Sequence, residues 1–132
     1  MEKTTKFELI TPSKIVVQEN TELVVIPGSE GHFGVLPLHV SMLSSLNRGV
    51  VELYQDNSVL KRIIIDGGIA DVQPDGCILL VERAEDLEGV KQDEVKKRIL
   101  EIKDTVMNSD NDNEKSEASK EISWLEFILK SI

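Results

Sequence analysis

Cysteine, histidine and long apolar runs are scarce in this sequence of 132 residues. The single cysteine, Cys77, excludes an internal disulfide and a zinc site built from several cysteines. The two histidines, His32 and His39, leave a metal site short of well-placed ligands, so we expect no metal. No apolar run approaches the ~20 residues that a membrane-spanning helix requires. The sequence therefore predicts a soluble globular protein in which Cys77 is a buried apolar residue.

Positive charge is also in short supply, with 15 Lys and Arg against 24 Asp and Glu and a net charge of −9. Nucleic acids and anionic membrane surfaces repel such a chain, so we expect neither as a direct partner. The net charge is −7 over residues 1–88 and −2 over residues 89–132, which indicates two parts of different construction. Residues 1–6 lack the hydrophobic region of a secretory signal, so we expect the chain to remain where it is made.

One span, Pro27 to His39, contains three glycines, two prolines and both histidines. Glycine permits positive φ and proline fixes φ, so this composition predicts a loop of defined shape. We expect the loop to bring Glu30 and His32 to a surface, where they contact another molecule. The alternative is a strand connection whose histidines are solvated.

Residues 1–88 contain short apolar runs of strand character, each ended by a turn signal. Asp66-Gly67-Gly68 is interpreted as one of these turns. The absence of helical segments between the runs predicts an antiparallel β-sandwich or barrel without parallel pairs. The expected strands are Phe7 to Leu9, Ile15 to Val17, Leu23 to Ile26, Val50 to Tyr54, Val59 to Ile65, Ile69 to Val72 and Cys77 to Val81.

The apolar period changes after Glu88, and residues 89–132 predict an antiparallel α-helical hairpin. The first helix is expected from near Val90 to near Met107, and polar turn residues follow it as far as Asn113. The apolar stripe of the first helix comprises Val95, Ile99, Ile102 and Val106, and that of the second comprises Ile122, Leu125, Leu129 and Ile132, widened by Trp124, Phe127 and Ile128.

The spacing of Pro27-Gly28-Ser29-Glu30-Gly31-x-x-Gly34-x-x-Pro37-x-His39 resembles the epsilon subunits of F-type ATP synthases. The segments Phe7 to Pro12, Gly49 to Leu53, Gly67 to Val72 and Leu80 to Glu85 extend the resemblance in order over about two thirds of the chain. The family has an amino-terminal β-sandwich followed by a helical hairpin, in agreement with the patterns described above.

The resemblance implies a central-stalk subunit of a proton-translocating synthase, without catalysis or cofactor of its own. It implies a sandwich that contacts the gamma subunit and the c-ring and couples ring rotation to the catalytic head. Carried over by position, Ser29, Glu30, Gly31 and His32 are candidates for the ring contact, and His39 for the gamma contact. His32 stands where some members of the family have a carboxylate. Membrane association would occur only through the complex, at the cytoplasmic face of the bacterial inner membrane.

The resemblance also implies that the hairpin regulates hydrolysis by extending into the alpha/beta head. The basic cluster Lys96, Lys97 and Arg98 is suited to an acidic segment of the head, and the alternative is a solvated helix face. Some members bind ATP through a helix motif. The closest match here surrounds Asp93 and Lys97 but lacks the leading apolar residue, the arginine and the alanine, so we expect no nucleotide site.

Two other classes of protein remain open. A stand-alone β-sandwich binding module with an acidic surface would use the shaped loop as a ligand site and would ignore gamma. A small hydrolase would use His39 with Asp71 or Glu82. The chain has no nucleophile elbow, phosphate-binding glycine loop or Cys/His metal spacing to support that hydrolase.

Overall fold

The computed structural model describes residues 4–38 and 40–132. The chain divides into two compact units between Glu88 and Gly89. The first unit is a β domain and the second is a helical hairpin. The strands are β1 (Thr5–Ile10), β2 (Ile15–Thr21), β3 (Leu23–Gly28), β4 (Gly31–Val35), β5 (Met42–Gln55), β6 (Ser58–Gln73), β7 (Gly76–Val81) and β8 (Ala84–Asp86), and the helices are α1 (Gln92–Met107) and α2 (Asp112–Ser131).

A long hairpin of β5 and β6 is the centre of the β domain, in the strand order β2-β1-β7-β6-β5-β3-β4. Residues 63–65 of β6 pair with β8, whereas residues 68–73 pair with β7. Next to the turn that joins β5 and β6, the long hairpin pairs with β8 and with the beginning of β3, whose other neighbour is β4. At the other end β6 pairs with β7, which is followed by β1 and β2, while Gly28 of β3 pairs with Leu46 of β5. This division lets one hydrogen-bonded sheet supply both layers of a β-sandwich.

The sandwich core consists of side chains at alternate strand positions, because successive strand residues face opposite sides. Phe7 and Leu9 of β1 and Leu79 of β7 are fully buried, while their sequence neighbours Glu8 and Leu80 are not. The predicted sandwich is therefore confirmed. The other core residues are Val17, Val24, Ile26, Val35, Leu46, Val51, Leu53, Ile63, Ile65, Ala70, Val72, Cys77 and Val81.

The expectation that no strands pair in parallel is wrong for β1 and β7. These strands run parallel, in register from Lys6↔Gly76 to Ile10↔Leu80. Turn signals determine the direction of strands that follow each other in sequence. They carry no information about β1 and β7, which are separated by five other strands.

The interpretation of Asp66-Gly67-Gly68 as a turn is also wrong, because β6 continues through it. Its register with β5 is unchanged on both sides, with Arg48 opposite Asp66 and Leu46 opposite Gly68. Both glycines have positive φ, 72° at Gly67 and 142° at Gly68. The pair therefore bends a continuous strand, and the Arg48 Nε to Asp66 Oδ1 ion pair at 2.8 Å crosses the hairpin beside the bend.

The helical hairpin begins and ends close to the predicted residues. Val95 and Ile99 of α1 are buried, and Ile102 and Val106 on the same stripe are half-buried. Asn111 caps α2, since its Oδ1 accepts hydrogen bonds from the N–H groups of Asn113 at 2.9 Å and Glu114 at 3.3 Å. Within the described residues, neither helix has the length and apolarity needed to cross a membrane. Trp124, Leu125 and Ile128 of α2 are buried.

The thiol of Cys77 is fully buried in the sandwich core, as the sequence predicts. Burial, with a smaller contribution from the nearby Asp71 charge, raises its pKa from 9.0 to about 12. A thiol with this pKa is not a nucleophile at neutral pH. Cys77 is therefore a packing residue.

We expect the Cys77 thiol to make the folded domain sensitive to alkaline pH. Its folded-state pKa is raised, so its contribution to stability is complete below the unfolded-state pKa of 9.0 and is lost as pH rises towards 12. Between about pH 8 and about pH 10.5 the native chain should lose ~2 kcal/mol more unfolding free energy than Cys77→Val, as measured by urea denaturation. Equal losses in the two proteins would contradict this assignment.

Candidate contact surfaces

The turn between β3 and β4 presents four exposed residues, Ser29 to His32, which we call the tip turn. Gly28 and Gly31 are paired across the two strands, so Ser29 and Glu30 form the connection. The prediction of a loop from Pro27 to His39 is wrong for Gly31–Val35, which form β4, whereas the prediction that Glu30 and His32 reach a surface is confirmed. Their contact with another molecule stays a prediction.

The tip turn has a defined shape because its glycines and backbone groups are constrained. A Cβ on Gly28 would lie 2.8 Å from the Phe33 ring, and Gly31 has a φ of 126°. The Ser29 N–H donates to the Ser45 carbonyl at 3.0 Å, which ties the turn to β5. The exposed side chains of Glu30 and His32 are therefore presented from a fixed backbone.

A second surface lies on the outer side of strands β1, β7, β6 and β5, and we call it the outer apolar face. Ile10, Leu80 and Ile69 are adjacent in one cross-strand row. Ile78 and Leu43 belong to the next row, on either side of Asp71. The exposed fraction is 50% for Ile69, 50% for Leu80, 37% for Ile78 and 73% for Leu43. A contiguous group of exposed Ile and Leu on strands inside the sheet marks an interaction surface.

An apolar loop follows β4 and exposes Leu36, Leu38 and Val40 at 57%, 60% and 78%. Leu38 has a φ of 63°, a left-handed conformation that costs a leucine about 1–2 kcal/mol. Its N–H donates to the Pro74 carbonyl at 3.0 Å, which holds the loop beside the β6–β7 turn. The candidate gamma contact His39 belongs to this loop by sequence but lies outside the described residues.

The outer apolar face was missed in the sequence, although β7 carries a signal for it. A strand with one solvated side alternates apolar and polar residues, whereas Cys77 to Val81 is apolar throughout. The alternate residues Cys77, Leu79 and Val81 face the core. The intervening Ile78 and Leu80 therefore indicate a second apolar side of β7.

The three cations of the predicted basic cluster do not share one face of α1, because consecutive helical residues project about 100° apart. Arg98 places Nη1 3.8 Å from Glu101 Oε2, on a side of the helix away from Lys96. Lys96, Leu100, Lys103 and Met107 are spaced by three or four residues and therefore lie along one stripe of α1. Leu100 is 63% exposed and Met107 is 84% exposed. We call Lys96, Leu100, Lys103 and Met107 the basic-apolar stripe.

The remaining candidate residues are not brought together into a reactive site. Asp93 and Lys97 are exposed on the first half of α1, and Glu82 is exposed after β7. Asp71 accepts a hydrogen bond from Gln73 Nε2 at 2.9 Å. Across residues 4–38 and 40–132, no three His, Cys, Asp or Glu side chains are grouped so that they could hold a metal ion.

Comparison with known proteins identifies the family to which this chain belongs. The model for the beta-sandwich domain of the ATP synthase delta/epsilon chain matches residues 4–87. The chain is 35% identical to the ATP synthase epsilon chain of Rhodospirillum rubrum over 98% of its own length and 96% of the relative's. This chain belongs to the ATP synthase epsilon family. This chain is also 40% identical to the ATP synthase epsilon chain of a Nitratiruptor species, over 76% of this chain and 78% of the relative.

Solved structures support the fold of this epsilon-family chain. A chain of the Euglena gracilis mitochondrial ATP synthase aligns with a TM-score of 0.68 and 20% identity, over 96% of this chain and 79% of that one. A chain of the Tetrahymena thermophila mitochondrial ATP synthase central stalk and c-ring aligns with a TM-score of 0.59 and 17% identity, over 98% and 96%. The predicted β-sandwich with a helical hairpin is confirmed, as is the resemblance to epsilon subunits.

Proposed function

We propose that this epsilon-family chain is a non-catalytic rotor subunit of a proton-translocating F-type ATP synthase, which couples c-ring rotation to the catalytic head through gamma. The outer apolar face is the observation that carries this proposal. Ile69 and Leu80 are each 50% exposed on interior strands, and burying them against a protein partner would remove this contiguous apolar surface from water. A subunit that works within a larger complex has such a partner.

The outer apolar face and the adjoining apolar loop are proposed as the gamma contact. Together they expose large aliphatic side chains, as expected of the core of a stable interface, and the carboxylates Glu8 and Asp71 lie in the row of Ile78 and Leu43. Leu38 is held in a strained conformation at this surface. Strain of this kind is tolerated at binding sites, where a partner makes use of the resulting shape. His39 remains a proposed gamma contact because it follows Leu38 in the loop.

The tip turn, Ser29 to His32, is proposed as the contact with the c-ring. Glu30 and His32 supply a carboxylate and an imidazole, and exposed Gly31 allows the ring loops to approach the backbone closely. Rotation transmits force through this contact, so a turn fixed to β5 by the Ser29 hydrogen bond is better suited than a flexible one.

The hairpin is proposed to inhibit ATP hydrolysis by reaching the alpha/beta head. Of the proposed cluster Lys96, Lys97 and Arg98, only Lys96 belongs to the basic-apolar stripe. We propose this stripe as the side of α1 that contacts the head. Leu100 and Met107 can be buried on a partner helix while Lys96 and Lys103 meet acidic side chains. We propose that the chain is a peripheral subunit at the cytoplasmic face of a bacterial inner membrane, held there only through the complex.

The test compares ATP hydrolysis by a reconstituted alpha-beta-gamma core with the full chain, with a chain ending at Glu88, and with neither. We expect both chains to co-purify with gamma, because the sandwich holds the outer apolar face. Hydrolysis should be about fivefold higher with the shortened chain than with the full chain, a typical size for an allosteric effect. Equal hydrolysis would contradict inhibition by the hairpin. Failure of both chains to bind gamma would favour the stand-alone binding module.

A further inference from the structure

A groove of about 610 Å³ lies between α1 and α2, at the end of the hairpin that carries the connecting loop. Its apolar floor consists of Ile102, Val106 and Ala118. This volume lies within the range of about 300–1,000 Å³ that is usual for small-molecule sites. The groove is formed within the helical hairpin and shares no residue with the surfaces proposed above except Arg98.

The groove exists because α1 has more and larger apolar side chains at this end of the hairpin than α2 has. Ile102 and Val106 of α1 are half-buried and face the beginning of α2. The first nine residues of α2, Asp112 to Lys120, contain one apolar side chain, that of Ala118. A single methyl group cannot fill the space opposite two branched side chains, so apolar surface remains accessible between the helices.

The rim of the groove is acidic. Glu101, Glu114 and Glu117 line it, against the single cation Arg98. Arg98 Nη1 lies 3.8 Å from Glu101 Oε2, and Lys120 Nζ lies 3.7 Å from Glu117 Oε1. Glu114 has a neutral partner, since its Oε2 accepts a hydrogen bond of 2.6 Å from the Ser109 hydroxyl. Among the described residues, Glu114 is therefore the rim carboxylate that has a hydroxyl rather than a cation as its partner, and it lies in the first turn of α2.

We propose that this groove binds an amphipathic organic cation. The apolar body of the ligand lies on Ile102, Val106 and Ala118, and its ammonium group lies beside Glu114 and Glu117. The groove provides both parts of this recognition, because aliphatic surface favours burial of the body and the carboxylates favour a positive charge at the rim. The same rim repels phosphates, so the groove is not a nucleotide site.

A small ligand fits better than a helix of a partner protein. Ser109 and Asn113 line the groove where the connecting loop joins the helices, so one end is bounded by the chain itself. The lining residues of α2 span Asn113 to Ala118, less than two helical turns, and those of α1 span Arg98 to Val106, about two and a half turns, with Ile102, Val106 and Ala118 as the apolar side chains. A partner helix needs several turns of apolar contact and would extend beyond this lining.

The test uses the full chain with labelled methyl groups and two probes of equal length, 4-phenylbutylamine and 4-phenylbutyrate. The amine should shift the methyl resonances of Ile102, Val106 and Ala118 saturably, with a dissociation constant on the order of 1 mM for a ligand of this size. The carboxylate probe and ATP should leave these resonances unchanged. Equal shifts from the amine and the carboxylate would overturn the proposal, as would saturable shifts from ATP.

Matched variants locate the site. Glu114→Gln should weaken amine binding about threefold, whereas Glu126→Gln, an exposed position of α2 outside the groove, should not change it. Ala118→Leu should fill the floor and weaken binding at least about tenfold while retaining the helical circular dichroism. Arg98→Gln should strengthen binding, because it removes a cation that lines the groove beside Glu101.

Two further outcomes would overturn the proposal. Unchanged amine affinity in Ala118→Leu would place the amine elsewhere on the chain. Shifts of Ile102 and Val106 that depend on protein concentration, together with a dimer in sedimentation, would show that a second copy of the chain covers the groove.

Discussion

Replacing Gly68 by alanine is expected to prevent the β domain from folding stably. The added Cβ would clash with the Leu80 carbonyl oxygen and would lie 2.9 Å from the Val81 Cα, both of them backbone atoms of β7. The φ of 142° at this position is also strained for any residue with a side chain. Because β6 and β7 would have to separate, we expect a loss of more than ~4 kcal/mol of unfolding free energy.

Two other glycines provide the controls for this experiment, which is a urea denaturation followed by circular dichroism. Gly67 also has positive φ but has free space for a Cβ, with the Leu46 carbonyl oxygen at 3.6 Å, so Gly67→Ala should lose only about 1–2 kcal/mol. Apart from the neighbours of Gly89 in sequence, no atom of residues 4–38 and 40–132 lies within 4 Å of a Cβ on Gly89, and Gly89→Ala should change stability by less than ~1 kcal/mol. A Gly68→Ala protein as stable as Gly89→Ala would contradict the geometry of the bend.

The position of Gly68 connects stability with the proposed function. It pairs with Leu46 of β5 and with Val81 of β7, where β6 changes its second partner from β8 to β7. The next residue, Ile69, is part of the outer apolar face. Close contact of β6 with β7 at Gly68 therefore brings Ile69 and Leu80 side by side.

Local turn chemistry explains how much of the fold could be predicted. Most strands are ended by proline, glycine or asparagine, and the helical period after Glu88 is clear, so the classes of both units follow from sequence. The parallel pairing of β1 with β7 did not follow, since it depends on tertiary packing between distant segments. The glycines at residues 67 and 68 were misread because a bend and a turn require the same positive φ.

The contact surfaces were only partly predictable. The tip turn could be found because glycine and proline mark its shape directly, and the family spacing points to the same residues. The outer apolar face required knowledge of which strands are neighbours. Ile69 and Leu80 are 11 positions apart in sequence, and only the β6–β7 register brings them together. Lys96, Lys97 and Arg98 are the opposite case. They are adjacent in sequence and were interpreted as one cluster, but consecutive residues of a helix project in different directions.

Charging the outer apolar face is expected to abolish association with gamma. In the double variant Ile69→Glu and Leu80→Glu, two carboxylates would have to lose their hydration at the centre of the proposed interface without a partner for either charge. We expect gamma binding to weaken by more than about 100-fold in titration calorimetry. The domain itself should remain folded, because both side chains are 50% exposed and lie outside the core.

Two matched variants separate this result from general effects of charge. Gln18→Glu with Asn20→Glu adds the same charge to exposed positions of β2 and should leave gamma affinity unchanged. Glu30→Ala with His32→Ala should also retain gamma affinity, but it should reduce proton-driven ATP synthesis in the reconstituted complex, since the tip turn is proposed to meet the ring. Normal gamma affinity in the Ile69/Leu80 variant would show that gamma does not bind to the outer apolar face. Loss of gamma affinity in the tip-turn variant would place gamma, rather than the ring, at Glu30 and His32.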